Sequence, residues 1–521
     1  SWLTDRLAGP QEPAPAPAPA TASAALAPAG RAPRRHVLRE VALPAPGGAA
    51  DLAGARFAVL GGGAVADALG ELLTARGAAA DLLSAATLLT ERDGPYDGVF
   101  LLGPLAHAAD DAPVLPDSFP VLQAALRPKA PRWLVCARPA GDPYRAGGAG
   151  AGLHGLFRTV AREYPDTLAR VVALDAAAPP AEVAAALLAE LSAQDRAPVV
   201  LHTADGRRGL EMAAEDLGSL ARTGAGPAAD GAAEAQAIGL DSESVVLLTG
   251  GARGITAHIA LALAAASHCR IELVGRTPLP SAPEEPDVAA AADLAGLRSA
   301  LARRGGMKPV EVDRAARLVL AQREIAATLE ELRRVGGQAA YRCLDVRDGE
   351  AVHQAVKEIH AEHGRLDGVV YGAGVIEDRL IADKSPESFR RVFGTKVDGA
   401  RTLLDAVSEL SPGPRFAVLF GSIAAVLGNR GQSDYAAAND ALEAIGASWA
   451  ARTGRRAVTV HWGPWAPTGA HGGMVTPELG QEYARRGIEL IDPDEGALAL
   501  LRELAWGDPS ATGVVHTASG W

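Results

Sequence analysis

The 521-residue chain is poor in cysteine. Its three cysteines, Cys136, Cys269 and Cys343, stand at no metal-ligand spacing, which argues against a zinc site or a disulfide framework. Cys136 and Cys343 lie in apolar, strand-like runs and read as core packing; a reducing cytoplasm fits this usage. Positive charge is also in short supply. Fifty Lys and Arg stand against 62 Asp and Glu, a formal charge of −12, the wrong sign for a protein that mainly binds nucleic acid or an anionic membrane. There is no unbroken apolar run of the membrane-spanning kind. The most apolar stretch, Val245 to Ala266, is interrupted by Arg253, His258 and a cluster of glycines, and divides into a strand, a turn and a helix. The opening residues, SWLTDRLAG, lack the apolar segment of a secretory signal.

What is present is enough apolar residue, 48%, for real cores, in a chain too long for one ordinary domain. Residues 1–35 are Pro/Ala-rich and read as a semi-extended linker, as if the chain were excised from something larger. Residues 36–235 alternate short apolar strands (Phe57–Leu60, Asp97–Leu102, Trp133–Cys136, Val171–Leu174) with helical stretches, the signature of parallel βαβ units. After a Gly/Ala-rich break at about Thr223 to Ile238, residues 236–521 repeat the order. Leu366–Val370 matches Tyr96–Phe100, Pro414–Val418 matches Pro131–Val135, and Arg456–Val460 matches Arg170–Leu174. The expected fold class is therefore α/β: two doubly wound, Rossmann-like subdomains with parallel sheets, the first degenerate. Where the second copy has Ser422, the first has Pro139, and the place of Tyr435 is held by Gly152. An insert at about 277–330 breaks the repeat. It ends in a charged amphipathic run and is expected to form a helix or a pair of helices ahead of the crossover helix.

The chemistry gathers in the second copy. The turn Thr249–Thr256, TGGARGIT, follows a strand and opens a helix. Glycines there let backbone approach a pyrophosphate, and a helix N-terminus favours an anion, which marks Thr249, Gly251, Arg253, Gly254 and Ile255 as cofactor-binding candidates. Arg276 ends the second strand, where an NAD site would place an acid. Its planar fork suits a 2′-phosphate, with Arg253 assisting, so NADPH is expected over NADH. Asp345 and Val346 close the third strand, placed to meet an adenine amino group and cover its ring. Ala373 and Gly374, in the turn after the fourth strand, leave room for ribose and nicotinamide. Ser422 ends a strand, Tyr435 follows thirteen positions later, and Asn439 comes one helical turn after that. A phenol beside a hydroxyl can protonate a carbonyl oxygen as hydride arrives. Lys396, on a helix behind the fifth strand, would lower the phenol pKa if buried beside it.

Together TGGARGI, the Gly275-Arg276 strand end, LDVRD, YGAG, FGTKVDGA, FGS, YAAAN and HWGPW resemble the ketoreductase domain of modular polyketide and fatty-acid synthases, within the short-chain dehydrogenase/reductase superfamily. The TGGARGIT form and the long insert look closer to iterative polyunsaturated fatty acid and enediyne-type synthases. The resemblance covers residues 36–521 and makes the first half a structural subdomain. It implies that Tyr435 protonates a β-keto oxygen, Ser422 hydrogen-bonds the same oxygen, Lys396 tunes Tyr435 and binds ribose, and Asn439 completes a relay. It further implies that Pro464 lies against the nicotinamide, that Asp378, Leu427 and Trp465 set substrate position and stereochemistry, and that the segment after Trp465 is a lid. The substrate would be a 3-oxoacyl thioester on the phosphopantetheine arm of an acyl carrier protein, with other synthase domains as partners in cis.

The chain departs from the family pattern in two places. Thr256 replaces the third glycine of the turn, which is expected to shift the pyrophosphate, and the usual LDD signature reads Ile376-Glu377-Asp378. The kept Asp378, and Leu427 where the opposite class has tryptophan, point to a D-3-hydroxy product. A free-standing carbonyl reductase acting on small ketones is the alternative reading, and a non-catalytic or epimerase-like scaffold is a third.

Overall fold

The computed structural model of the chain describes residues 30–83, 95–106, 114–127, 129–140, 150–218, 230–467 and 477–520. In the first half the strands are β1 (Arg34–Ala42), β2 (Arg56–Leu60), β3 (Ala79–Leu83), β4 (Gly98–Leu101), β5 (Trp133–Pro139), β6 (Leu168–Leu174), β7 (Val199–Thr203) and β8 (Gly206–Ala214). The second half has β9 (Val245–Thr249), β10 (Arg270–Gly275), β11 (Gln338–Cys343), β12 (Gly368–Tyr371), β13 (Phe416–Ser422), β14 (Arg456–Trp462) and β15 (Gly513–Thr517). All fifteen form one sheet, in the order β11-β10-β9-β12-β13-β14-β15-β1-β8-β7-β6-β5-β4-β2-β3.

Strands β2 to β7 form one parallel set and β9 to β15 another, as expected of βαβ units, and mixed α/β architecture holds throughout. The repeat read from sequence matches the structure: β4, β5 and β6 occupy the places of β12, β13 and β14. Among the described residues, the first half has no counterpart of the edge strand β11. The seam is antiparallel. β1 pairs with β15 through Arg34↔Thr517 and His36↔Val515, and with β8 along Ala42↔Arg208 to His36↔Ala214. β8 in turn pairs antiparallel with β7, so β1 and β8 together join the two parallel sets. β1 also begins inside the segment read as linker, and just before it Arg31 bridges Ile491 of the second half. Residues 1–29 lie outside the described residues.

The helices include α1 (Ala64–Ala75), α2 (Leu153–Glu163), α3 (Gly254–Ser267), α4 (Pro309–Arg334), α5 (Pro386–Ser408), α6 (Ile423–Leu427), α7 (Ser433–Thr453) and α8 (Pro493–Trp506). Their apolar faces form a core that does not respect the sequence repeat. Leu156, Phe157 and Val160 of α2 share one cluster with Phe389, Phe393, Ala437 and Ala441 of the second half. Phe119 stacks on Phe389 with ring centroids 4.2 Å apart. α2 and α7 approach so closely that a Cβ on Gly155 would lie 2.3 Å from the carbonyl oxygen of Ala436.

The insert forms the helix Leu294–Arg303, as expected ahead of the crossover helix, but its last part is continuous with the crossover helix itself. α4 runs unbroken for 26 residues, because nothing in LAQREIAATLEELRR interrupts a helix. Its first half packs on the helix Leu294–Arg303 around Leu297, Leu301, Val312 and Ala316. Its second half reaches the glycine turn, where Thr328 Oγ1 donates to the carbonyl oxygen of Ala252 at 2.9 Å. Cys136 is buried as expected, but Cys343 is exposed, because β11 is the sheet edge; Cys269 is the second core cysteine. No helix among the described residues is long and apolar enough to cross a membrane.

Candidate active site

The site forms at the carboxyl ends of β9, β12 and β13, where strand order reverses about β9. β9 ends at Thr249, whose hydroxyl is buried with no hydrogen-bond partner. The chain then turns through Gly250 (φ 113°), Gly251 (φ 83°) and Gly254 (φ 53°), backbone that side chains rarely adopt. Gly250 is forced by packing, since a Cβ there would lie 2.8 Å from the carbonyl carbon of Gly372. Gly251 and Gly254 instead have open space where a Cβ would stand. Arg253 caps α3 with its backbone only, so the first N–H groups of a 14-residue helix have no side-chain acceptor at the cap. An orphaned buried hydroxyl, an open glycine face and an uncapped helix start fit a pyrophosphate. Thr256 does not face this opening. It is buried, and its hydroxyl fills the space between Gly250 and Gly372, which is why the third glycine is dispensable here.

Past β10, Arg276 is exposed. The Arg347 hydrogen bond, and to a lesser degree the charge of Arg276, hold the Asp345 carboxyl below the usual range. Arg253 lies 3.9 Å from Glu324 of α4. Val346 is 5% exposed, and its side chain lies against α5 near Gly399. The cover expected of it over an adenine ring is thus not offered by an open side chain. Ala373 is buried, and a Cβ on Gly374 would sit 3.0 Å from Lys396 Cε, so this turn is shaped to let the lysine pass.

The chemical cluster comes from three elements. Ser422 ends β13, and its Oγ accepts from the N–H of Ala424 at 3.2 Å, capping α6. Tyr435 and Asn439 lie on α7, buried on nearly every side by its small residues. Asn439 Nδ2 donates to the carbonyl oxygen of Tyr435 at 2.7 Å, and its Oδ1 is a buried acceptor without a partner. Lys396, 4% exposed on α5, donates to the carbonyl oxygen of Phe420 at 2.7 Å and stands 5.8 Å from the Tyr435 ring centroid. The four residues named from sequence therefore converge.

Their electrostatics differ from the sequence expectation. Burial pushes the Tyr435 hydroxyl above its ordinary value, while Ser422 and Asn439 pull the other way. Burial also brings Lys396 down to about 7. Ser422 and Asn439, not Lys396, are the groups that pull the Tyr435 hydroxyl down.

Near Tyr435, Asp378 accepts from Gln432 Nε2 at 3.0 Å, and burial raises its pKa. Glu377 is not free: Arg391 and Ser388 hold it, keeping it down to about 2. Leu427 packs with Ile488 and Tyr483. Pro464 is partly buried, and its carbonyl oxygen accepts from the N–H of Ile491 at 2.8 Å. Trp465, expected beside the substrate, is a core residue instead. It lies edge-on to Trp462 at 5.0 Å, packs where Gly496 leaves room, and belongs to a different apolar cluster from Tyr435. Much of the segment read as a lid, residues 468–476, lies outside the described residues.

Sequence reasoning missed three partners. Lys384, fully buried, pairs with Asp434 at 2.5 Å and also donates to the carbonyl oxygen of Glu377, tying the Asp378 loop to the first turn of α7. Tyr483 has its hydroxyl pKa raised by burial and by Asp378. Gln432 links Asp378 to the residues just before α7. None of these has a local sequence signature.

Residues 244–467 match the KR domain family. The chain is 34% identical over 284 residues to a polyunsaturated fatty acid synthase polypeptide of Thraustochytrium, a match covering 52% of this chain and 10% of that protein. It is 38% identical over 181 residues to polyketide synthase GfsE of Streptomyces halstedii, covering 34% of this chain and 5% of that one. The chain thus spans about a tenth or less of the length of these relatives. Among solved structures it is similar to the first ketoreductase of the tylosin polyketide synthase, with TM-score 0.65, 26% identity, and coverage of 92% of this chain and 91% of that one. A structure of A-type ketoreductases from a modular polyketide synthase shares the fold at TM-score 0.66 and 23% identity, covering 94% of each chain. With this sheet order, this glycine turn and this cluster of serine, tyrosine, asparagine and lysine, residues 244–467 belong to the KR domain family, and the chain as a whole is similar to the ketoreductases of type I polyketide and fatty-acid synthases.

Proposed function

We propose that the chain reduces a 3-oxoacyl thioester, held on the phosphopantetheine arm of an acyl carrier protein, to the D-3-hydroxyacyl thioester with NADPH. The observation that carries this reading is the convergence of Tyr435, Ser422, Asn439 and Lys396 beside the open glycine turn.

A reduced nicotinamide supplies hydride to the carbonyl carbon when it is bound. Thr249, Gly251, Gly254, Ile255 and the start of α3 would hold its pyrophosphate, and Arg276 the 2′-phosphate, with Arg253 shared between that phosphate and Glu324. Asp345 and the backbone of Val346 would meet the adenine, Ala373 and Gly374 would face the ribose, and Pro464 the nicotinamide. Lys396 would bind the ribose hydroxyls with the N–H groups not used on Phe420. Tyr435 donates its hydroxyl proton to the ketone oxygen as the carbonyl becomes an alkoxide. Its raised pKa keeps that proton in place until it is needed. Ser422 donates a hydrogen bond to the same oxygen and steadies the growing negative charge. Asn439, with its unpartnered Oδ1, can accept from a water that returns the proton.

Asp378 and Leu427, on the substrate side, support D-stereochemistry. The relatives are synthase polypeptides many times longer than this chain, which supports a carrier-bound substrate and other synthase domains as partners in cis. A free-standing reductase of small ketones would instead turn over a simple thioester as well as a carrier-bound one. NADPH oxidation against 3-oxoacyl thioesters of graded length, carrier-bound and free, with chiral resolution of the alcohols, tests both readings. Equal turnover of both forms would favour the small-ketone reading, and mainly L-alcohol would overturn the stereochemical one.

A further inference from the structure

The half of the chain without chemical residues reaches into the substrate side of the site at one carboxylate. Glu163 is the last residue of α2, and its two oxygens take one backbone donor each from different loops. Oε2 accepts from the N–H of Ile381 at 2.8 Å, and Oε1 from the N–H of Gly431 at 2.9 Å. The first loop carries Asp378. The second leads through Gln432 into α7 and so to Tyr435. The loops are also bonded to each other, through the N–H of Arg379 to the carbonyl oxygen of Gly431 at 2.8 Å and through Gln432 to Asp378. Glu163 closes this triangle from behind.

The rest of the first half holds the same loops. Arg158 donates to the carbonyl oxygen of Ala425 at 2.7 Å, Arg162 to that of Leu427 at 3.3 Å, and Thr159 Oγ1 accepts from the N–H of Asn429 at 3.3 Å. Gln123 Nε2 donates to the carbonyl oxygens of Ile381 and Lys384 at 2.6 and 2.8 Å. These contacts mostly reach carbonyl groups, which tolerate a lost donor. Glu163 satisfies two N–H groups at once, and a half-buried N–H left without an acceptor moves to find one. Only a carboxylate has two acceptor oxygens in this geometry, since an amide would turn an NH₂ group towards one of the two donors.

We infer that Glu163 is a positioning residue for the reduction: it fixes the spacing between the Asp378 loop and the loop before Tyr435, and so decides which face of the ketone is presented. This rests on the proposed function. The glycine turn and Arg276 belong to other loops, so cofactor binding does not depend on Glu163.

The test uses the full chain with Glu163→Gln and Glu163→Ala. Three quantities are measured: kcat and KM on a 3-oxoacyl thioester, the ratio of D to L alcohol, and NADPH affinity by fluorescence. Displacement of a reacting group by about 1 Å costs on the order of a hundredfold. Glu163→Gln, which frees one loop only, is therefore expected to lower kcat/KM about tenfold. It should also raise the share of the minor alcohol severalfold, with NADPH affinity within about twofold of wild type. Glu163→Ala should exceed it in both effects. Two results would overturn the inference: wild-type kcat/KM and alcohol ratio in Glu163→Gln, or a parallel loss of NADPH affinity, which marks a merely structural role. A wild-type chain that fails to oxidise NADPH with these thioesters overturns the proposed function itself, whereas an active wild type with an indifferent Glu163→Gln overturns only the role of Glu163.

Discussion

Lys396 is tethered to the carbonyl oxygen of Phe420 at 2.7 Å while its Nζ stands 5.8 Å from the ring centroid of Tyr435. The tether leaves the lysine buried with one protein acceptor, and burial brings its pKa from 10.5 to about 7. Between those values the unfolded chain holds a proton that the folded chain does not. Stability contributed at this position therefore rises as pH climbs from 7 to 10.5 and is lowest, and flat, below 7.

Lys396→Met should accordingly lose reductase activity and yet stabilise the cofactor-free fold at pH 7, by about 1–3 kcal/mol after loss of the Phe420 hydrogen bond. The gain should fade as pH approaches 10.5. Urea unfolding of both proteins at several pH values checks this, and a variant less stable than wild type at pH 7 would contradict it.

Tyr435→Phe removes the proton donor and little else, because the ring stays packed against Val392, Ala424 and Ala436. It should cost about 10²–10⁴ in kcat with thermal stability nearly unchanged. Reduction that survives the change would refute the assigned proton path.

Two glycine substitutions should separate binding from folding. At Gly251 (φ 83°) a Cβ meets open space, so Gly251→Ala should cost about 1 kcal/mol of stability but weaken NADPH binding strongly. At Gly428 (φ 70°) a Cβ would lie 2.5 Å from the backbone of Arg158, so Gly428→Ala should destabilise by about 2–4 kcal/mol and spoil activity through the loop. Parallel melting curves and NADPH titrations tell the two apart.

Arg276 is exposed and outside the core, so Arg276→Ala should leave the melting temperature in place. The expected change is a fall of about 10–100-fold in the preference for NADPH over NADH, read from kcat/KM with each cofactor. An unchanged preference would remove Arg276 from the 2′-phosphate site.

The halves are also joined by a charge. Glu503 of α8 is fully buried; burial alone would raise its pKa, but His516, 3.7 Å away, and the hydrogen bonds from Arg35 outweigh this and hold it at about 2. Arg35 belongs to β1, so this pair crosses the seam at 2.6 Å. A depressed carboxylate stabilises above its unfolded value near 4.5, and that stability is lost as pH falls towards 2. Glu503→Gln should therefore lower stability at pH 7 and flatten the acid limb of the unfolding profile. A variant whose acid limb matches wild type would count against it.

Local pattern alone settled much. Short apolar strands alternating with Ala/Leu helices can be buried only as parallel βαβ layers, so the α/β class, the repeat and most strands were legible. So were the glycine turn and the residues Lys396, Ser422, Tyr435 and Asn439, whose residue types and positions within the motifs carry their chemistry. Other features depended on contacts between residues far apart in the chain. β1 and β8 are charged and alternating, and they become a seam only by pairing with each other and with β15. The core positions of Trp465 and Val346, the exposure of Cys343 at a sheet edge, and the low pKa of Lys396 all follow from what packs around them. Glu163 and the Lys384–Asp434 pair are the clearest cases. A carboxylate on a surface-like helix becomes a brace for two distant loops only when α2 and α7 are brought together, because hydrogen bonding and desolvation act through space and leave no period in the sequence.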